Sequence, residues 1–183
     1  MKLTQLLLEE LDRESHGIRK ALERVPEGKN DWKPHEKSMP LGRLATLVAN
    51  MPAWLDMVVN LDEIDINPPG GSKWKPQDWN TRAELLAQFE ASLKKGREVL
   101  QATTDDHLLN TNWRMLSGGK VMSDESRYIG IRDGIFNHMA HHRGQLTVYL
   151  RLNEASVPAI YGPSADEGKP ASEGKEAKEG KAA

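Results

Sequence analysis

Three of the six histidines fall within five residues, in the run Asn137-His138-Met139-Ala140-His141-His142-Arg143-Gly144-Gln145. On a helix, His138 and His142 stand one turn apart on the same face, because side chains at i and i+4 share a side. Two imidazoles so placed can converge on one divalent cation. Imidazole nitrogen suits zinc, nickel, copper and iron, so the residue type leaves the metal open. The blander alternative is a pair of half-buried histidines satisfied by hydrogen bonds, with no metal. His141 lies off that face and can meet solvent or a neighbouring helix. Arg143 offers either a structural ion pair or a contact for an anionic substrate. Glu36 and Asp133 are carboxylates that could orient the histidines from behind.

The cluster needs a helix to carry it, and the flanking sequence predicts one. Positions 128, 131, 135, 138, 142, 145, 149 and 152 alternate spacings of three and four and hold Tyr, Ile, Ile, His, His, Gln, Tyr and Leu. That is an inward stripe with apolar ends and a polar centre. Three more segments share the period. Residues 4–25 carry Leu7, Leu8, Leu11, Ile18, Leu22 and Val25, and Pro26 and Gly28 end them. The second opens at Ser38-Met39-Pro40 and runs through Leu41, Leu44, Val48, Met51, Leu55 and Val58. Pro52 lies inside it and predicts a kink, because the stripe continues beyond. The third begins at Thr81-Arg82-Ala83-Glu84, the spacing of a capping box, and carries Leu85, Phe89, Leu93 and Leu100.

The two longer connections hold the remaining signals. Residues 61–80 contain Trp74 and Trp79, and Trp32 sits in an earlier connection. These rings either anchor loops or line a cleft. Residues 103–124 contain Ser117-Gly118-Gly119-Lys120, a hairpin turn in the making, but no convincing sheet. The expected fold is all-α, a four-helix bundle with long crossover connections over residues 1–163. Residues 164–183 repeat Glu-Gly-Lys, contain no aliphatic residue larger than Ala, and are expected to be a disordered tail.

Composition removes several function classes. The 183 residues include no cysteine, which excludes disulfides, thiol nucleophiles and thiolate-held metals. With 25 basic and 27 acidic side chains, the net charge is −2 and argues against a nucleic-acid partner or an anionic membrane surface. A mean hydropathy of −0.64 and the lack of a long apolar run argue against a transmembrane span. The first residues lack the pattern of a signal peptide, so a cytoplasmic location is expected. No nucleophile elbow and no phosphate-binding loop is visible, and no residue can be named as catalytic.

One further pattern is carried by particular residues. The run Asn137-His138, His142-Arg143-Gly144-Gln145-Leu146, then Tyr149-Leu150-Arg151 and Tyr161-Gly162-Pro163-Ser164, resembles the DinB-like family. Trp32-Lys33-Pro34-His35-Glu36-Lys37-Ser38, Leu41-Gly42-Arg43-Leu44-Ala45 and Met51-Pro52 with Trp54 extend the resemblance, which covers roughly residues 3–166. It implies a four-helix bundle, often homodimeric, that holds a divalent metal (Zn, Ni or Fe) through three histidines. Two of these match His138 and His142. The third family histidine stands on the second helix, where the register here places Leu47, and leucine ligates nothing. A slip to Asn50 offers only an amide oxygen, a poor partner for zinc or nickel. His35, His16 and His107 are the remaining candidates for a third ligand. The resemblance also implies metal-dependent thiol S-transferase or hydrolase chemistry on a small-molecule substrate. The rival reading is a non-catalytic homodimeric bundle that binds a partner or serves a structural role.

Overall fold

A computed structural model of the chain describes residues 2–71 and 79–168. Trp74 and residues 169–183, most of the expected tail, lie outside the described residues.

All four periodic segments are helical. The first is α1, Leu3–Leu22, which buries Leu7, Leu11, Ile18 and Leu22. Its first turn has no cap from its own sequence. The Asp105 carboxylate supplies one from a hundred residues away, accepting from the Leu3 and Thr4 amides at 2.9 Å each. The second segment is α2, Leu41–Asn50, then a 3₁₀ turn over Met51–Trp54, then α3, Leu55–Asn60. Pro40, not Ser38, stands at the start of α2. At Pro52, where a kink in one helix was predicted, a 3₁₀ turn separates α2 from α3, and the Ser92 hydroxyl bridges it. That hydroxyl accepts from the Ala53 amide at 2.9 Å and donates to the Asn50 carbonyl at 3.0 Å. The third segment is α4, Arg82–Ala102, and its Thr81–Glu84 capping box is formed as the spacing predicts. Short α5, Asp105–Asn110, follows with Thr104 as its cap.

The expectation of an all-α chain is corrected by a three-stranded sheet. Strands β1 (Glu63–Asp65), β2 (Asn112–Ser117) and β3 (Lys120–Ser126) lie in the order β1-β2-β3. The hairpin of β2 and β3 turns at Gly118 and Gly119, whose φ angles of 60° and 77° are those a tight two-residue turn requires. Strand β1 pairs in parallel with β2, and Asp65 clamps the far turn by accepting from the Gly118 and Gly119 amides at 3.0 and 2.7 Å. Three residues that pair across fifty positions carry no periodic signal of their own. The chain is thus mostly helical with a small sheet. Among the described residues no helix is long and apolar enough to cross a membrane.

Buried Arg127 joins the sheet to the helices. Its guanidinium donates to the Val58 and Leu61 carbonyls at the end of α3, to Asp62, and to the Thr111 hydroxyl. The last segment contains α6 (Arg127–Ile131), a π turn (Arg132–Asn137) and α7 (His138–Leu152). Beyond α7 the chain doubles back. Asp166 and Glu167, which composition groups with the tail, accept from the Val157 and Ala159 amides at 2.7 and 2.9 Å and pair with Arg151 and Arg24.

Two substitutions test these contacts. A Cβ at Gly96 would meet the Pro52 carbonyl oxygen at 2.7 Å and Leu55 Cδ1 at 3.1 Å. In an open helix Gly→Ala gains up to about 1 kcal/mol, but here Gly96→Ala should cost about 1–3 kcal/mol by overpacking in urea unfolding. For Asp105, the Thr4 and Leu3 amides hold the carboxyl below its ordinary value. A depressed folded value means that the cap stabilises above the ordinary aspartate range and is lost as pH falls through the lowered value. Asp105→Ala should lower the melting temperature at neutral pH, and its difference from wild type should vanish in strong acid.

Candidate metal centre

The π turn decides which residues of the last segment face the core. A π turn takes in about one residue more than an α turn, so the inward face beyond it moves by one position. From Ile131 onward the buried residues of the segment are Ile131, Ile135, Phe136, Met139, His142, Arg143, Leu146, Tyr149 and Leu150. Of the predicted stripe, Ile131, Ile135, His142 and Tyr149 are buried, and positions 138, 145 and 152 are corrected. His138 and Gln145 are half-buried beside the stripe, and Leu152 is 53% exposed. His142 stays on the inward side, 8% exposed. The pair therefore sits at the rim of the core and not at its centre.

The structure brings His138 and His142 together, with ring centroids 4.6 Å apart and their Nε2 atoms at 2.9 Å. Each ring is held from behind. His142 Nδ1 lies 2.7 Å from Gln145 Oε1. The His138 ring bonds to the Gly134 carbonyl, and with Nε2 turned to His142 the nitrogen that does so is Nδ1. Both partners are oxygens that only accept, so both Nδ1 atoms donate and both Nε2 lone pairs face the same point. Burial pushes both imidazoles below their ordinary value of 6.5, which keeps them uncharged and able to ligate at neutral pH. Two metal–imidazole bonds of about 2.0–2.1 Å span roughly 2.9 Å at a right angle and roughly 3.3 Å at the tetrahedral angle. Donor type, protonation and spacing thus fit a divalent cation.

The ligand count falls short. Among the described residues no group of three His, Cys, Asp or Glu side chains could hold a metal. The other candidate histidines are engaged elsewhere. His16 Nδ1 contacts the Asp12 carbonyl at 2.8 Å, and exposed His35 accepts from the Lys37 amide. His107 Nε2 lies 2.9 Å from the Val59 carbonyl. Helices α2 and α7 run antiparallel, with Tyr149 donating to the Met39 carbonyl at one end and Trp54 5.8 Å from His138 at the other. Leu47 lies on α2, between these two contacts. Leu47 is half-buried and packs on the core.

The neighbours divide into scaffold and support. Arg143 forms the structural ion pair: its side chain is 3% exposed, and it donates to Glu14 at 2.7 Å and to the Tyr161 hydroxyl. Gly17 lets it in, since a Cβ there would lie 3.1 Å from Arg143 Nη1. Trp32 packs edge-on against Tyr149 and Trp79 is buried, so both anchor connections. Asp133 accepts from Asn137 and not from a histidine. The group behind His142 is Gln145, which the i+3 spacing signals once a helix is assumed. His141 is exposed, with Nε2 3.0 Å from Gln145 Nε2.

Known proteins bear on this geometry. The DinB family model matches residues 1–178. A DinB-like protein from Bacillus cereus superposes with a TM-score of 0.64 at 20% identity, covering 84% of this chain and 95% of its own. The DinB-like protein YjoA from Bacillus subtilis gives a TM-score of 0.64 at 15% identity, over 85% and 97% of the two chains. At these identities the likeness is one of fold. No curated protein matches the chain.

Proposed function

The chain belongs to the DinB family, and on that premise we propose that it is a divalent-metal-binding protein whose site is reduced to His138 and His142. The observation that carries this reading is the convergence of two uncharged Nε2 atoms at 2.9 Å with both Nδ1 atoms held by oxygen. In this reading the helices form a four-helix bundle, and His138 and His142 hold a zinc, nickel or iron ion from the rim of its core. Leu47 occupies the level at which a third ligand would stand. Catalytic metal sites commonly use three protein ligands and an open position, so two imidazoles and water bind weakly.

A bound cation would supply Lewis-acid activation of a thiolate or a water, the chemistry of thiol S-transfer or hydrolysis. The chain's own part is narrower. Gln145 and Gly134 keep the two rings oriented, and Trp54 walls one side of His138. Arg143, neutralised by Glu14, keeps the helix seated without facing a substrate.

A second reading is favoured by Leu47: a homodimeric module in the cytoplasm that retains the fold and the two histidines without catalysis. Val148 and Leu152, exposed on the outer side of α7, are apolar surface available to a second copy. One series of measurements separates the readings. Passed through chelator and dialysed against nickel or zinc, the wild-type protein should retain substoichiometric metal by elemental analysis. Leu47→His should tighten nickel and zinc by orders of magnitude, and His138→Ala in that background should abolish the gain. Stoichiometric metal in the wild type would contradict a reduced site. No gain in Leu47→His would favour the non-catalytic module.

A further inference from the structure

A neutral imidazole carries its proton on one nitrogen only, and the other keeps the lone pair. Which nitrogen of His142 keeps it decides whether that ring can ligate at the point it shares with His138. The only side chain hydrogen-bonded to His142 Nδ1 among the described residues is Gln145, through Oε1 at 2.7 Å. The same amide presents Nε2 to His141 Nε2 at 3.0 Å. An amide oxygen only accepts and an amide nitrogen only donates. The observed orientation therefore puts the His142 proton on Nδ1 and leaves Nε2 free to ligate.

The reverse orientation keeps both of these contacts and adds a hydrogen bond across the histidine pair. Turned by half a revolution, the amide would donate to His142 Nδ1 and accept from His141. His142 would then carry its proton on Nε2, where it would donate across the 2.9 Å gap to His138 Nε2. That bond would occupy both ligating nitrogens. We infer that Gln145 is a two-position positioning residue: oxygen-first it opens the His138–His142 pair to a cation, and nitrogen-first it closes the pair. This rests on the metal reading of the two histidines and adds to it a device that makes metal binding compete with an internal hydrogen bond. His141 is the counterpart that keeps either orientation satisfied. Groups behind a ligating imidazole fix its tautomer and raise its basicity.

The test uses zinc ions on the full chain, by calorimetric titration of wild type, Gln145→Glu and Gln145→Ala. The ring tautomer of His142 is read by nitrogen NMR before and after zinc. Glutamate presents oxygen alone, so Gln145→Glu should show the Nδ1-protonated ring with and without zinc and bind at least as tightly as wild type. Gln145→Ala should bind roughly 10–100-fold more weakly, with a mixed tautomer. Wild type should show both tautomers of His142 without zinc and the Nδ1-protonated ring alone once zinc is bound. Equal affinity and an unchanged tautomer in Gln145→Ala would overturn the inference, as would Gln145→Glu binding more weakly than Gln145→Ala. If wild type binds no zinc, the metal reading fails. The metal-free tautomers of wild type and Gln145→Glu then still decide whether Gln145 governs the ring. Circular dichroism of each variant separates these outcomes from loss of fold.

Discussion

Two neutral imidazoles hold two protons between them, and the His138–His142 pair has three places that ask for one. With Gln145 oxygen-first, the Gly134 carbonyl takes the first, Gln145 Oε1 takes the second, and nothing is left for the 2.9 Å gap between the two Nε2 atoms. Facing lone pairs at that distance repel, and an acceptor without a donor is penalised to the extent that it is buried. A third proton would fill the gap, but desolvation of both rings opposes the charge it brings. A divalent cation fills it with the donor set it prefers. The proton count, more than the proximity of two histidines, is what makes this pair a candidate metal centre.

The rest of the fold can be read as the means of holding that pair. Two irregular turns meet there. The 3₁₀ turn at Pro52, mended by Ser92 and pressed against Gly96, brings Trp54 to His138. The π turn rotates α7 so that His142 faces inward and His138 lies beside it. Arg127 and Arg143, both nearly fully buried, tie the start of the last segment to α3 and its α7 helix to α1. Neither arginine touches the histidine pair. Their charges are matched by Asp62 and Glu14, so they position helices and do not recognise an anion.

Much of this was legible in the sequence wherever a signal was local. The 3.6-residue period marked the helical segments, Thr81 and Glu84 marked a helix start, and Pro52 marked an irregularity, though as a kink and not as the 3₁₀ turn found there. The i, i+4 spacing of His138 and His142 marked the pair, since helical geometry alone makes those side chains meet. What was not legible depends on distant partners. Strand β1 exists because Glu63–Asp65 pairs with a strand fifty residues on. The cap on α1 comes from Asp105. The π turn left no mark in composition, yet beyond it Met139 and Leu146 are buried where the spacing expected His138 and Gln145, and the pair lies at the rim of the core. The proposal of a reduced ligand set rests on Leu47, a side chain without a donor atom.

Anomalous diffraction from crystals of the wild-type chain grown with excess nickel tests the central claim most directly. The account predicts an ion bound to Nε2 of both His138 and His142, with its remaining positions held by water and with Gln145 Oε1 toward His142. An ion with a third side-chain ligand, an ion at another histidine, or an empty pair at saturating nickel would contradict it.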